Sequence, residues 1–260
     1  MREILSDLVA EEQQLDQFLQ SLRDRQWATK TPAEGWTIQD TVSHLAYTEA
    51  FAAEVLEQGE ARLKAEDIQD IDDWTEIGVL QGRGRRHQEI IEWWRFGRAD
   101  VVDALSRMLA SDRVPWIYGD MSARSFATMR LMETWAHGLD VKAAILGRMT
   151  PLEEPPEEDE DEDPLADTSR LRHIAALGQR TLPFAFEQAG QEFPAQGIRV
   201  EVMGPLYAAW RFGPEDTDQV IKGMAGDWCR LVVQRVEPSD TSLKAVGEDA
   251  ELALTIARAY

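Results

Sequence analysis

Cysteine is almost absent from this chain, which has a single one, Cys229, among its 260 residues. One thiol cannot form an intramolecular disulfide bond. Its surroundings, GDWCRLVV, are apolar and helical in character, where a cysteine usually behaves as a small hydrophobic residue instead of a nucleophile. The first twenty residues mix charged and apolar side chains and lack the apolar core of a signal peptide. We therefore expect a cytoplasmic protein.

The sequence also lacks long apolar runs and an excess of positive charge. No stretch approaches the roughly 18 consecutive apolar residues that a membrane-spanning helix requires, so we expect no membrane partner. The chain has 27 Lys and Arg against 48 Asp and Glu, which gives a formal net charge of -21. Because this charge repels a phosphate backbone, we expect no nucleic-acid partner either.

Several familiar catalytic motifs are missing. The sequence has no GxSxG, no glycine-rich phosphate loop, no CxxC pair and no HExxH, which removes several common enzyme classes from consideration. What it does have is ample material for packed cores, since 43% of its residues are hydrophobic and nine are tryptophan. A length of 260 residues suits two domains.

Apolar residues recur at helical spacing in four long segments of the N-terminal part. The pattern predicts helices over residues 4–22, 38–58, 89–110 and 122–147. Thr37 and Asp40 have the types and spacing of a helix N-cap and a first-turn acid, which places the start of the second helix. The stretch 59–84 is polar and poorly periodic, and it lies between two of the predicted helices. Four long helices joined by loops predict a four-helix bundle over residues 1–150.

The character of the sequence changes after the bundle. Residues 153–163 read EEPPEEDEDED, too acidic and too rich in proline to continue a helix, so we predict an acidic linker over residues 151–168. Residues 169–260 then predict a small α/β domain, which makes the whole chain α+β. Its predicted elements are a helix over 171–188, strands over 198–203 and 206–212, a helix over 227–233, a strand over 242–246 and a last helix from Glu248.

The strongest chemical signal is the segment Glu133-Thr-Trp-Ala-His137. A carboxylate and an imidazole four residues apart project from one helix face, so both can bind one cation. The alternative is an ordinary pair of side chains on an exposed helix. His44 lies on a predicted neighbouring helix and is the candidate third ligand, although it could instead be a histidine hydrogen-bonded to Asp40 or Thr48. The three residues predict a divalent-metal site with an open fourth position.

Two segments carry a family resemblance: TPAEGWTIQDTVSHL and RLMETWAHGLDVKAAILG. Together they resemble the DinB-like metal-binding superfamily and, within it, the mycothiol-dependent maleylpyruvate isomerase group. The resemblance implies a DinB-like bundle followed by a sterol-carrier-like α/β domain. It also implies that His44, Glu133 and His137 bind a divalent metal, usually zinc. The acidic linker and the segment GPEDTDQVIKGMAGDW depart from the family pattern, so the substrate stays open.

The resemblance suggests roles for two further residues. An arginine of the C-terminal domain reaches the family's active site, and the end of LVVQR points to Arg235, which would bind a substrate carboxylate with its planar guanidinium. The alternative is an exposed arginine at a helix end. Asp140, one turn beyond His137, would orient that imidazole or contact the thiol cofactor. The alternative here is an exposed helical acid.

The function implied is that of a metal-dependent enzyme that uses a low-molecular-weight thiol. Mycothiol would be the thiol co-substrate, and a small electrophilic molecule the substrate of isomerisation or S-transfer. One alternative is a metal-dependent hydrolase with bound water as its nucleophile. Another is a non-catalytic protein that binds or carries a small ligand.

Overall fold

The computed structural model describes residues 1–152 and 163–259 of the chain and has an α+β fold. These residues form two compact units, Met1–Arg148 and Met149–Tyr260. The division lies close to the predicted end of the bundle at residue 150. Much of the predicted acidic linker falls on residues 153–162, which lie outside the described residues. No helix among the described residues is long and apolar enough to cross a membrane.

The first unit is built from helices. Its four long helices agree with the four predicted segments within a few residues at either end. The described elements are α1 (Arg2–Ser21), α2 (Ile38–Gln58), α3 (Glu60–Glu66), α4 (Ile71–Gly82), α5 (His87–Ser106), the short antiparallel strands β1 (Arg113–Val114) and β2 (Met121–Ser122), and α6 (Ala123–Leu146).

The predicted start of α2 is confirmed in atomic detail. The hydroxyl Oγ1 of Thr37 accepts a hydrogen bond from the backbone N–H of Asp40, and the Asp40 carboxylate accepts one from the backbone N–H of Thr37. This reciprocal cap fixes where the helix begins, and with it the positions of all later side chains on α2.

The interior of the bundle is apolar around the contact between α2 and α5. Its core cluster includes Leu45, Ala46, Ile90 and Trp94, all of them fully buried. Burial of such side chains is the main stabilising contribution to a bundle of this kind.

Residues 59–84, which lie between two predicted helices, form α3 and α4, and these helices were not predicted. The Asp70 carboxylate caps the N-terminus of α4 by accepting hydrogen bonds from two backbone N–H groups. The helix then packs against α2 through glycines, since a Cβ at Gly78 would lie 2.6 Å from Tyr47 and one at Gly82 1.8 Å from the Ser43 hydroxyl. A helix that approaches its neighbour through glycine shows little of the apolar periodicity on which the prediction depended.

The described residues of the second unit form four α-helices and a four-stranded sheet. Its strands β3 (Arg199–Met203), β4 (Ala209–Phe212), β5 (Val220–Met224) and β6 (Lys244–Val246) lie in the order β4-β3-β5-β6. The pair β3 and β5 is parallel, and the two outer strands are antiparallel to their neighbours. Its helices are α7 (Leu171–Arg180), α8 (Leu182–Gln188), α9 (Ala225–Val232) and α10 (Glu248–Ile256).

Three details of this unit differ from the prediction. The helix predicted over 171–188 is divided at Thr181, with Pro183 in the first turn of its second half. The strand predicted from 206 begins at Ala209, because Leu206 and Tyr207 have positive φ values of 55° and 60° and form a turn. Strand β5 was not predicted at all.

Cys229 has the buried position expected of it. Its side chain is completely buried in α9, and its thiol lies 3.5 Å from the carbonyl oxygen of Leu171. Burial and the charge of Asp167 raise the pKa of this thiol well above its ordinary value. The protonated thiol is a poor nucleophile, which agrees with its prediction as a packing residue.

Candidate metal centre

The three predicted ligands meet inside the first unit. His44 lies in the middle of α2, while Glu133 and His137 lie on successive turns of α6. The imidazole Nε2 atoms of His44 and His137 are 3.7 Å and 3.6 Å from the same carboxylate oxygen, Oε2 of Glu133. All three donor atoms lie within 4.8 Å of one another. The fold therefore brings the potential metal ligands of α2 and α6 together at one point.

The spacing of these atoms suits a divalent cation. Zinc bonds of about 2.1 Å in a tetrahedral arrangement separate neighbouring donors by about 3.4 Å. The distances of 3.6 Å and 3.7 Å between the imidazoles and the carboxylate are close to that value. Two imidazoles and one carboxylate are also a donor set that zinc and several other divalent ions accept. The residues present fit such an ion.

The simpler interpretations of these residues do not fit the structure. The pair on α6 is not on an exposed face, because the side chains of Glu133 and His137 are only 16% and 12% exposed. His44 is buried, and its Nδ1 has no hydrogen-bond partner among the described residues. Thr48 donates its hydroxyl to the backbone carbonyl of His44 and not to the ring.

The protonation states favour cation binding. Burial by itself raises the pKa of Glu133, but the neighbouring His44 and the charge of Arg130 outweigh it and lower this pKa to about 2. Burial lowers the pKa of His44. The carboxylate is therefore ionised and the His44 imidazole neutral at pH 7, which are the forms that bind metals.

Asp140 lies directly behind one of the imidazoles. It is completely buried, and its Oδ2 is 3.1 Å from Nδ1 of His137. A carboxylate that accepts the Nδ1 proton leaves the Nε2 lone pair directed at the other two donors. The alternative of an exposed helical acid is therefore wrong, and the orienting role stays a prediction.

Trp36 lines one side of the site, and the sequence did not predict this role for it. The centroid of its ring lies 5.1 Å from that of His44 and 5.9 Å from that of His137. A tight turn presents it: Gly35 has a φ of +79°, and the carbonyl of Trp36 accepts hydrogen bonds from the backbone and hydroxyl of Thr31. The indole is partly exposed, so it stands between solvent and the two imidazoles.

The sequence offered one signal for Trp36. It belongs to the EGW that precedes the cap of α2, inside the first family-like segment. Nothing in its spacing from His44 on the chain indicates stacking, because Trp36 lies before the start of α2 and outside the helical repeat that places His44.

Arg235 lies in the second unit, shortly after the end of α9. It is partly exposed, and its Nη1 donates a hydrogen bond to the carbonyl of Val233 at 2.7 Å. Its predicted catalytic role stays a prediction. Arg230, which lies within α9, is buried instead. It is 1% exposed, and its Nη2 donates a hydrogen bond to the Asp167 carboxylate at 2.7 Å.

The chain is similar to several known proteins. Two proteins of Mycobacterium tuberculosis, from two strains and both described as uncharacterised, are 37% identical over 258 residues, which is 98% of this chain and 94% of theirs. Two crystal structures of mycothiol-dependent maleylpyruvate isomerase, one of them a histidine-to-alanine mutant, share the fold. Their TM-scores are 0.57 and 0.59 at 16% identity, over 94% of this chain and 92% of the other.

A family match covers the part of the chain that contains the site. Residues 8–142 match the family described as the mycothiol maleylpyruvate isomerase N-terminal domain. This range includes His44, Glu133, His137 and Asp140. The chain thus belongs to the mycothiol maleylpyruvate isomerase N-terminal domain family.

Proposed function

We propose that this protein is a metal-dependent enzyme that uses mycothiol and acts on a small electrophilic substrate. It either isomerises this substrate or transfers the thiol to it. The observation that carries the proposal is the convergence of two imidazoles and one ionised carboxylate beside a partly exposed indole. The family to which the chain belongs supports the choice of thiol and of reaction class.

In this proposal His44, Glu133 and His137 hold a divalent cation, with zinc as the expected ion. Three protein ligands leave a further position for a co-substrate. The cation, when bound, supplies a positive charge that lowers the pKa of a thiol and stabilises its thiolate. No protein cysteine is needed for this chemistry, in agreement with the complete burial of Cys229.

The surrounding side chains would each have a separate task. Asp140 keeps the proton of His137 on Nδ1, 3.1 Å from its carboxylate, and so fixes the ring's orientation. Trp36 offers an apolar surface beside both imidazoles and restricts the entry of water. Arg235 would bind a carboxylate of the substrate, a task to which a planar guanidinium is suited.

The test is to compare metal content and thiol consumption in the wild type, His44→Ala and Glu133→Ala. Glu57→Ala serves as the control, because it removes an exposed carboxylate from α2. We expect about one equivalent of metal in the wild type and the control, loss of metal from both ligand variants, and consumption of mycothiol with an electrophilic substrate only where metal is bound.

Two results would contradict the proposal. If both ligand variants retain full metal, the ion is bound elsewhere. If the purified protein converts substrate equally well without any thiol, metal-dependent hydrolysis replaces thiol chemistry as the function.

A further inference from the structure

A second group of ionisable side chains is buried next to the candidate metal centre. Glu12 of α1, Glu49 of α2 and Arg130 of α6 are 3%, 0% and 3% exposed. Arg130 precedes Glu133 by three residues, about one turn of the helix. None of these three residues belongs to the ligand set, and none is needed for the helical pattern, so the bundle buries them at a cost.

Their polar atoms are poorly satisfied by one another. One carboxylate oxygen of Glu12, both of Glu49, and Nε and Nη1 of Arg130 are buried without a hydrogen-bond partner among the described residues. The ion pair among them is long, with Nη1 of Arg130 lying 3.6 Å from Oε1 of Glu49. The guanidinium also lies 5.3 Å from the centre of the Trp116 ring.

The charges in this interior do not balance. Arg98, the other cation that faces Glu12 and Glu49, already donates hydrogen bonds to the Asp16 carboxylate and to the backbone carbonyl of Glu12. That leaves Arg130 as the counter-charge to three carboxylates, those of Glu12, Glu49 and Glu133.

An excess of buried negative charge is relieved by binding a proton. Burial and the charge of Glu49 raise the pKa of Glu12 to about 9. Burial raises the pKa of Glu49 to about 7, with Arg130 opposing this effect and Glu133 adding to it. Both carboxyl groups therefore titrate well above an ordinary glutamate.

We propose that Glu12 and Glu49 form a proton-binding site that holds about one proton in the metal-free protein and releases it when a divalent cation binds to His44, Glu133 and His137. The second half of this inference rests on the proposed function. Its physical basis is electrostatic: a dication placed close by in a medium of low dielectric favours the ionised form of both carboxyl groups. The proton leaves to solvent, so the positive charge of the cation replaces that of the proton.

The existence of the site is tested in the metal-free protein. We compare the wild type with Glu12→Gln/Glu49→Gln, a nearly isosteric change, and with Glu57→Gln, which removes an exposed carboxyl group of α2. A group whose pKa is raised in the folded state stabilises it below the unfolded-state pKa, and this contribution is lost as pH rises through the folded-state pKa.

We therefore expect the wild type and Glu57→Gln to lose stability as pH rises from about 5 to about 9, with a slope equivalent to about one proton more than in the double variant. Urea unfolding over this range measures the slope. Equal slopes in all three proteins would overturn the proton site. If the double variant does not fold, Glu12→Gln alone provides the same comparison.

The coupling is tested by titrating the metal-free proteins with Zn²⁺ in a calorimeter, using buffers of different ionisation enthalpy at pH 7.5. We expect the wild type to release about one proton more per zinc bound than the double variant. Equal release would overturn the coupling. Failure of zinc to bind the wild type would count against the proposed function and the coupling together, whereas the unfolding slopes still decide whether the proton site exists.

Discussion

At the scale of single residues, the orientation of His137 depends on one hydrogen bond. In the proposed site the Asp140 carboxylate, 3.1 Å from Nδ1 of this imidazole, accepts its Nδ1 proton, so replacing it with an amide removes a negative charge and allows the other tautomer. We predict that Asp140→Asn weakens zinc binding by about 10- to 100-fold. Competition with a coloured chelator measures the change, and Asp100→Asn, at an exposed position on α5, is the control. Unchanged affinity would show that Asp140 does not position the ligand.

A second residue-scale prediction concerns Trp36. Its ring lies close to both imidazoles, so a cation bound between them alters the surroundings of this indole more than those of the other eight tryptophans. We expect a zinc-dependent change in tryptophan emission in the wild type that is mostly lost in Trp36→Phe, while metal content is kept. Trp93→Phe, at a partly exposed position on α5, should retain the change. A full response in Trp36→Phe would place the ion elsewhere.

The residues of the candidate site were predictable to different degrees, for a physical reason. Glu133 and His137 share one helix face, and that relation is readable from their spacing alone. His44 was a candidate because a bundle would place its helix beside that of Glu133 and His137, but the choice between ligand and ordinary histidine required the family resemblance, since no local pattern shows which helices are neighbours. The contact of Glu49 with Arg130 was not predicted at all, because it joins helices that are distant in sequence and its residues look like ordinary surface charges.

At the scale of elements, α2 and α5 approach each other through Gly97. A Cβ at this position would lie 2.8 Å from the backbone nitrogen of Ala50, which cannot move without shifting α2. We predict that Gly97→Ala lowers the free energy of unfolding by about 1–3 kcal/mol, although alanine is the better helix former. Gly138→Ala is the matched control, since its Cβ would meet only Leu15 at 3.8 Å. Urea unfolding tests both, and equal stabilities would contradict this packing.

The elements that sequence patterns missed are the short ones. The long helices α1, α2, α5 and α6 repeat an apolar face over several turns, which is the most reliable signal available. By contrast β5, with the sequence VIKGM, contains a lysine and a glycine and pairs in parallel with β3, a neighbour that is distant along the chain. Such pairing depends on contacts with the rest of the sheet, so the five residues of β5 alone do not predict it.

At the scale of the whole molecule, all three candidate metal donors lie in the first unit. Apolar periodicity predicted the bundle, the change of pattern after residue 168 predicted the α/β part, and the family resemblance implied the same two parts. Composition alone gave only the expectation of two domains. The position of the functional groups within one unit has a consequence for stability, because a ligand stabilises most the structure that forms its binding site.

We therefore predict that zinc stabilises the helices that bear its ligands more than it stabilises the second unit. At a free concentration of about 100 times the dissociation constant, the expected gain is about 2.7 kcal/mol. Amide hydrogen exchange should slow in α2 and α6, which bear His44, Glu133 and His137, while β3 and β5 of the second unit serve as the internal reference. His44→Ala should abolish the protection. Equal slowing of exchange in α2, α6 and the reference strands would contradict this prediction, since it would mean that zinc acts on the fold as a whole and not through the ligand set.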